Sequence, residues 1–292
     1  MKILQVNGWL HDKNQQGMNL MTKDIEYVIT TNNSRFHEEW DFVLVPSFFI
    51  PKEQFPNTKV IIYGPHIFPY EEPWSIINYV NDNVYFNTLS SWVSVVTEEI
   101  CQLSKNIKTI NLPFGVDVET FKPVENKIYE YDCFIYFKNR EIECFEYVQD
   151  ICNKLGLKYV VIKYGSYNQE YYKHVLNTSK FGIWVGSHES QGFAVQEALS
   201  QNVPLLVWDV ESLYDEVNNG ERPWQKYKGK CVLKATTVGY WDDSCGIITD
   251  KDKLETNINK MLETYQNYNP RQFIVETLSP EICMERWIKL LK

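Results

Sequence analysis

Short apolar runs alternate with longer segments of helical period along the chain. The segments "WSIINYVND" and "SSWVSVVTEEICQLS" repeat apolar positions every three to four residues, which predicts helices. Runs of strand length flank them in the first 115 residues: "KILQVNGW", "DFVLVPSFF", "KVIIYGP", "NVYFNTL" and "IKTINLPFG". Apolar strands joined by helices are typical of parallel sheets that are covered on both faces. The pattern therefore predicts an α/β fold.

The same alternation restarts after a polar, proline-containing stretch, "LPFGVDVETFKPVENKIYEYD". We therefore predict two doubly wound domains, residues 1–117 and 118–279. A terminal amphipathic helix, residues 280–292, can pack back on the first domain. The strands of the second series are "DCFIYFKN", "KYVVIKYG", "FGIWVG" and "VPLLVWD", and its helices are "REIECFEYVQDICNKLG", "NQEYYKHVLNTSK" and "SQGFAVQEALSQN".

Composition narrows the class of partner. The formal net charge is -9, so no overall positive field would attract nucleic acid, although a local basic cleft would suit a small phosphorylated ligand. The seven cysteines form no C-x-x-C pair, which indicates reduced thiols in a cytosol-like compartment. No apolar run approaches the roughly 20 residues of a membrane span. We expect a soluble, cytoplasmic protein whose membrane contacts, if any, are peripheral.

Two glutamates stand out in the stretch "SHESQGFAVQEALSQNVPLLVWD". Glu189 follows the strand "FGIWVG", where ligands of doubly wound folds bind, and Ser187 or Ser190 is predicted to cap the next helix. The first turn of that helix offers unpaired backbone N–H groups and the positive end of its dipole to an anion. That turn comprises Gly192, Phe193 and Ala194.

Glu197 lies about two helical turns beyond Glu189, so the two carboxylates are separated by up to ~12 Å at 1.5 Å per residue. That distance suits a ligand with a hydroxyl-rich group at each end and a charged centre. A nucleotide sugar has this layout, with a hexose, a diphosphate and a ribose.

The spacing of Glu189 and Glu197 resembles the E-x7-E signature of retaining glycosyltransferases with the GT-B fold, of the family 4 type. "NLPFGVDVETFKPV", residues 111–124, looks like the "P-N-G-V-D-x-x-x-F-x-P" junction of the same family, about 75 residues earlier. "CGIITDKDKLETNINKML" resembles the strand, loop and helix that follow in these enzymes. The resemblance covers residues 84–292 well and the first 80 weakly. It implies two Rossmann-like domains that face each other across a cleft, with residues 1–117 on the acceptor side and residues 118–279 binding the nucleotide sugar.

The resemblance also implies a function. The chain would be a metal-independent, retaining hexosyltransferase that transfers a sugar from a nucleotide-sugar donor to an acceptor hydroxyl, a glycan in our expectation, without a cofactor. Glu189 would contact the transferred sugar and Glu197 the ribose. The backbone of Gln191 and of Gly192–Ala194 would contact the sugar or the phosphates.

A diphosphate leaving group needs cations, and "YFKNR" supplies Lys138 and Arg140 at the carboxyl end of a strand. The family usually has Gly-Arg at this place and a lysine a few residues later. This chain departs from that pattern with Phe137-Lys138, so Lys138 is the favoured contact. A basic loop that only faces water is the alternative.

The remaining candidates rest on single residues. Gly17 in "NQQGMN" stands where the family has a glycine loop near the donor phosphates, although one glycine after a strand is often only a turn. His66 follows a strand and resembles a histidine that contacts sugar or acceptor in several members; a structural, hydrogen-bonded histidine is the alternative. Gly165 in "GSYNQ" is expected near the nucleotide base.

Other functions remain open. Without the resemblance, Glu197 would be interpreted as a solvated helix residue. Glu189 would be interpreted as a carboxylate that the dipole at the start of a helix favours. A protein that binds nucleotide sugars or glycans without transfer is the main alternative, because the first domain is short and the basic loop is altered. A dinucleotide-dependent oxidoreductase is disfavoured by the missing G-x-G-x-x-G, and a transferase acting on DNA bases by the acidic balance. Asp250-Lys251-Asp252 reads as a helix start, and no metal site is predicted.

Overall fold

The computed structural model describes residues 1–66, 83–101, 108–217 and 222–292. The predicted helix "WSIINYVND" lies outside these ranges. The chain forms two compact units, of which the first comprises Met1–Gly115, Pro223–Leu233 and Pro280–Lys292. The second comprises Val116–Arg222 and Lys234–Ser279. The chain thus leaves the first unit two residues before the predicted boundary and returns to it twice.

The first unit contains a parallel sheet of six strands in the order β2-β1-β3-β4-β5-β6. Its order reverses between β1 and β3, because β1 pairs with β2 on one side and with β3 on the other. A crevice forms at the carboxyl ends of strands where the order reverses in this way. The strands are β1 (Lys2–Val6), β2 (Glu26–Thr30), β3 (Trp40–Val45), β4 (Thr58–Tyr63), β5 (Val84–Asn87) and β6 (Thr109–Ile110).

Apolar residues on alternate positions of these strands build one core of the first unit, in which Phe36, Trp40 and Tyr63 are almost completely buried. The helices here are α1 (Asp12–Met21), α2 (Ser91–Cys101) and α8 (Pro280–Ile288). The terminal helix α8 lies against α1, and its buried Trp287 meets Phe42 of β3 edge to face, with ring centroids 5.5 Å apart.

The second unit contains a parallel sheet of five strands in the order β11-β10-β9-β7-β8. Here the order reverses between β7 and β9, whose register places Lys138 opposite Gly186. The carboxyl ends of these two strands therefore flank the crevice of the second sheet. The strands are β7 (Tyr131–Lys138), β8 (Tyr159–Lys163), β9 (Ser179–Gly186), β10 (Leu205–Trp208) and β11 (Gly246–Thr249).

The helices of the second unit cover both faces of its sheet, as continuous apolar strands require. Phe181 and Ile183 of β9 are fully buried, and α3 and α6 contribute to the same core. The helices are α3 (Ile142–Lys154), α4 (Gln169–Thr178), α5 (Phe193–Ser200), α6 (Leu254–Thr264) and α7 (Pro270–Leu278). No helix among the described residues is both long and apolar enough to span a membrane.

The predicted α/β class with parallel sheets is confirmed, whereas two elements of the first unit did not appear in the sequence pattern. Strand β2 is only half-buried, so its apolar alternation is weak. Helix α1, "DKNQQGMNLM", buries Asn14, Gly17, Met18 and Met21, which have helical spacing. Half of this buried stripe is polar or small, so hydrophobicity alone does not reveal the helix.

Candidate functional site

An ion pair lies at the crevice of the second sheet. Lys138 ends β7 and Glu189 follows β9, and Lys138 Nζ lies 2.6 Å from Glu189 Oε1, with each side chain 15% exposed. The backbone fixes both ends: the Ser187 N–H donates to the Lys138 carbonyl, and the Glu189 N–H to the Thr236 carbonyl. The structure therefore brings together two residues that the sequence proposed separately.

Lys138 remains charged in this setting. Burial alone would lower its pKa, but the charge of Glu189 and the hydrogen bond to it outweigh burial, and the net pKa is raised. The ring of Tyr164 adds a cation–π contact, with Nζ 4.4 Å from its centroid. A buried, permanently charged ammonium at a crevice can bind the oxygens of an anionic ligand.

Gly192 directly precedes the first turn of α5. It is the N-cap of the helix and adopts a left-handed conformation with φ of 84°, which favours glycine. A Cβ atom there would lie only 3.2 Å from Glu189 Cβ. The prediction that Ser187 or Ser190 caps this helix is therefore wrong: the chain must turn sharply after Glu189, and only the glycine allows it.

Phe193 and Ala194 form the first turn of α5, as predicted. The first N–H groups of a helix have no acceptor within that helix, and the dipole there is positive. The Ala194 carbonyl accepts a hydrogen bond from the Tyr172 hydroxyl at 2.6 Å, which anchors α5 to α4. Gln191 is buried, and its side chain donates to Gln196 one turn into the helix.

Glu197 is 5% exposed, and its charge acts on two tyrosines, Tyr167 and Tyr172. Burial raises the pKa of Tyr167 to about 12, and the charges of Glu197 and Glu189 add to that rise. The pKa of the fully buried Tyr172 is likewise raised by burial and by Glu197. A carboxylate this buried on a helix is not a solvated surface residue, so that interpretation of Glu197 is wrong.

Arg140 links the carboxyl ends of β9 and β10 by hydrogen bonds. Its Nη1 donates to the carbonyls of Gly186 at 3.2 Å and Trp208 at 3.3 Å, and its guanidinium lies 5.3 Å from the Trp208 ring centroid. These contacts hold the carboxyl ends of β9 and β10 beside Lys138. Gly165 occupies the turn after β8 with φ of 76°, where a Cβ atom would meet nothing within 4 Å.

The sequence analysis missed a group of polar residues behind the ion pair. Glu216 accepts hydrogen bonds from Arg222 at 3.2 Å and Asn139 at 3.3 Å, and its carboxylate lies 3.9 Å from His188 Nε2. Burial lowers the pKa of His188 to about 4 despite the opposing charge of Glu216. The sequence around Glu216 and Arg222 shows no hydrophobic periodicity, so no sequence signal points to them.

A second support for Glu189 was also missed. Asp209, just after β10, accepts from the Thr236 hydroxyl and from the Thr237 N–H, each at 2.6 Å. These bonds fix the loop whose Thr236 carbonyl receives the N–H of Glu189. An aspartate at the carboxyl end of a buried strand is the one sequence signal that could have indicated it.

His66 lies in the first unit, after β4. Its Nε2 accepts from the His11 N–H at 3.3 Å and from the Asn14 side-chain amide at 3.2 Å. Burial, and then the charge of His11, lowers the pKa of His66 to about 4. The ring is therefore neutral at physiological pH, and it contacts the Trp9 ring in a tilted arrangement with centroids 4.3 Å apart.

Gly17 lies inside helix α1 and not in a loop. A Cβ atom there would be 2.6 Å from the Gly115 carbonyl oxygen and 2.9 Å from Phe114 Cβ. The prediction of a glycine loop is therefore wrong: the residue is small because the helix packs directly on the backbone around Gly115. Within the described ranges, no group of three or more His, Cys, Asp or Glu side chains is arranged to hold a metal ion.

Comparison of the sequence with protein-family models finds no match, and comparison with curated proteins finds none. Solved structures do match. AviGT4, a glycosyltransferase involved in avilamycin A biosynthesis, is 11% identical with a TM-score of 0.61, over 99% of this chain and 96% of that one. The lipopolysaccharide outer core galactosyltransferase WaaB is 11% identical with a TM-score of 0.56, over 99% of both chains.

TarM from S. aureus, solved as a point mutant in complex with UDP, fondaparinux and α-GlcNAc-glycerol, is 13% identical with a TM-score of 0.53. The match covers 86% of this chain and 55% of that one. At these identities the likeness concerns the fold. The chain has the GT-B fold, with one Rossmann-like sheet in each unit.

Proposed function

We propose that the chain is a glycosyltransferase that moves a sugar from a nucleotide-sugar donor to an acceptor hydroxyl, with retention of the anomeric configuration. One observation carries the proposal. The buried Lys138–Glu189 pair and the start of α5 at Gly192 meet at the point where the strand order of the second sheet reverses. A crevice at such a point is where doubly wound sheets bind nucleotides.

The donor phosphates would bind at Lys138 and at the first N–H groups of α5. A diphosphate competes with Glu189 for the ammonium, so its arrival would share or open the 2.6 Å ion pair. The released Glu189 carboxylate could then accept hydrogen bonds from hydroxyls of the transferred sugar. The pair thus holds both side chains in place before the donor binds.

Glu197 would bind the ribose. Its side chain is buried on α5, and two hydroxyls of a ribose could donate to its two carboxylate oxygens. Gly165, in the turn after β8, would leave room for the base. These assignments are the ones that the resemblance of the E-x7-E spacing implies.

In the transfer step, the bond between the anomeric carbon and the donor phosphate oxygen breaks through an oxocarbenium-like state. Negative charge then grows on the diphosphate, where Lys138, Arg140 and the N–H groups of the first turn of α5 stabilise it. The acceptor oxygen bonds to the anomeric carbon on the same face, and its proton passes to the departing phosphate oxygen. The step needs neither a covalent nucleophile nor a metal or cofactor.

The test is incubation of the full chain with UDP-, GDP- and ADP-sugars. We expect one nucleotide class to raise the melting temperature, because a ligand bound only by the folded state stabilises it. The same donor should slowly release its nucleoside diphosphate, and the anomeric configuration of the product can be read by NMR.

Two results would contradict the proposal. A melting temperature unmoved by all three classes excludes the donor site, and binding without release supports a nucleotide-sugar-binding protein without transfer. An inverted product anomer would refute retention alone.

A further inference from the structure

The turn that follows strand β7 depends on a residue with an unusual backbone conformation. Asn139 comes directly after Lys138 and has a φ of 49°, in the left-handed region that most residues with a Cβ atom avoid. Glycine adopts this region most readily, and asparagine more readily than other residues. Helix α3 begins only three residues later, at Ile142. The conformation of Asn139 therefore sets the direction in which the chain leaves Lys138.

Both polar ends of Asn139 bind the same distant segment. Its carbonyl accepts a hydrogen bond from the Val217 N–H at 2.9 Å, and its side-chain amide donates to Glu216 Oε1 at 3.3 Å. Asn139 and Glu216 are 77 positions apart in the chain. A rotation of Asn139 towards the ordinary right-handed region would move its carbonyl and its amide, so both bonds oppose that rotation.

The segment that binds Asn139 is stabilised by its own hydrogen bonds. Ser212 and Asp215 form a capping box around the short turn Leu213–Asp215. The Asp215 carboxylate also accepts from two backbone N–H groups at 2.8 and 3.0 Å. Glu216 follows this turn directly, and its side chain is only 6% exposed. The acceptor of the Asn139 amide is therefore placed independently of Asn139.

Glu216 acts on Lys138 through its charge as well. Burial lowers the pKa of Lys138, whereas the negative charges of Glu189 and Glu216 raise it. In the proposed reaction the donor diphosphate opens the pair between Lys138 and Glu189. Glu216 would still favour the charged ammonium at that stage.

We infer that Glu216 and Asn139 are positioning residues for Lys138: Glu216 holds the left-handed turn at Asn139, and this turn aims the Lys138 ammonium at the crevice. The inference rests on the proposed function, in which Lys138 binds the donor phosphates, and it adds the residues that set the orientation of this cation. In the competing interpretation, Asn139 only closes the turn after β7, and Lys138 keeps its position without it.

The first measurement follows Lys138 itself and needs no ligand. Lys138 Nζ lies over the ring of Tyr164, 4.4 Å from the ring centroid. We therefore expect the ring current to shift the resonances of the neighbouring Cε methylene group upfield. The full chain is labelled with 13C at the Cε atoms of its lysines, and Lys138→Ala identifies the Lys138 resonance by its loss.

Five variants test the two positioning residues. The upfield shift should disappear in Asn139→Ala, which disfavours the left-handed turn, and in Glu216→Ala, which removes the acceptor. It should persist in part in Asn139→Gly, because glycine adopts the turn, and in Glu216→Gln, whose side-chain oxygen still accepts from Asn139. Asn126→Ala is the matched control, because Asn126 has a φ of 54° in an exposed turn of the same unit. Thermal unfolding of each variant establishes that it is folded at the temperature of measurement.

The inference is overturned if the Lys138 resonance of the wild type is not shifted upfield. It is also overturned if the shift survives in both Asn139→Ala and Glu216→Ala, or if Asn126→Ala loses it equally. In each case the turn at Asn139 would not determine where the ammonium lies.

Kinetics with the donor that the binding screen identifies provide the second measurement. We expect kcat to fall about 10- to 100-fold in Asn139→Ala and Glu216→Ala, because a misplaced catalytic group loses this much. The KM for the donor should change less, and Asn139→Gly and Glu216→Gln should recover part of the rate. Equal rates in the wild type and both alanine variants would contradict the inference.

The inference and the proposed function fail in different ways. A Lys138 resonance that depends on Asn139 and Glu216, in a chain that no nucleotide sugar stabilises, would retain the positioning and refute the donor site. An active transferase whose Lys138 resonance is unchanged in both alanine variants would refute the positioning alone.

Discussion

The two sheets have crevices of the same topology and opposite chemistry. In the second unit, the strand ends carry Lys138 and Glu189, buried and paired at 2.6 Å. In the first unit, the corresponding strand ends carry the exposed ring of Trp9 and the neutral His66. A charged, pre-organised ion pair suits a phosphorylated ligand, and an exposed aromatic ring suits a ligand that offers C–H surface.

The difference shows what a doubly wound sheet supplies and what it leaves to the loops. Topology alone places a crevice at each reversal of strand order. The residues that follow the strands then decide which ligand each crevice accepts. In this chain further hydrogen bonds support the residues at both crevices. Asp209 and Glu216 accept them in the second unit, and Asn14 donates one to His66 in the first.

Replacement of Lys138 by alanine should have the largest effect, because in the proposed reaction it removes a cation that stabilises the departing diphosphate. We expect the rate of sugar transfer to fall roughly 100- to 1,000-fold, the usual effect of losing one group that stabilises the transition state. The measurement is steady-state kinetics with the donor that the binding screen identifies.

The same two strands provide the control. Lys180 and Asp132 form an ion pair of equal length, 2.6 Å, at the amino ends of β9 and β7. Lys180→Ala removes a lysine from a comparable pair on the edge of the sheet opposite the crevice, so its rate should match the wild type. Equal losses of rate in Lys138→Ala and Lys180→Ala would mean that the position of Lys138 at the crevice does not matter for transfer.

Glu197→Ala should weaken nucleotide binding by about 10- to 100-fold, because a buried carboxylate that accepts from charged or hydroxyl partners contributes ~1.5–3 kcal/mol. The rate of sugar transfer at saturating donor should change less than the affinity for the nucleotide. Isothermal titration with the nucleoside diphosphate measures this directly. Glu255→Ala is the control, since Glu255 is a helix glutamate that pairs with Lys154 on the surface. An unchanged affinity in Glu197→Ala would show that Glu197 does not bind the ribose.

Gly17→Ala should destabilise the first unit and leave nucleotide binding intact. The added methyl group would collide with the Gly115 carbonyl, and such overpacking costs ~1–3 kcal/mol. Thermal unfolding should show a melting temperature lowered by several degrees, compared with Gln16→Ala on the exposed side of the same helix. A normal melting temperature together with weaker donor binding would restore Gly17 to the donor site.

The last expected effect is absent at neutral pH: it is an acid-dependent loss of stability. The pKa values of His66 and His188 are lowered from 6.5 to about 4 in the folded chain, so the unfolded chain binds more protons between these values. Stability is therefore complete above about pH 6.5 and declines as the pH falls towards 4. His66→Gln and His188→Gln should each flatten this decline in pH-dependent thermal unfolding. An unchanged slope in both variants would show that the histidines titrate normally.

Part of this organisation was predictable from the sequence. The strands around Phe42 and Ile183 are continuous apolar runs, so they can be predicted without knowing which segments pack against them. The E-x7-E spacing and the position of Lys138 after an apolar strand located the second crevice. Helix α1 was missed because Asn14 and Gly17 occupy its buried face, and their fit depends on what packs there.

The sequence by itself determined the alternation of strands and helices, the acidic balance and the place of the two glutamates along the chain, because periodicity and spacing are local properties. Only the tertiary structure decided that Lys138 reaches Glu189, that Gly192 and not a serine starts α5, and that Trp9 rests on His66. The first of these contacts joins residues that are 51 positions apart in the chain. It arises from strand order, and strand order is set by how whole segments bury their apolar faces against one another.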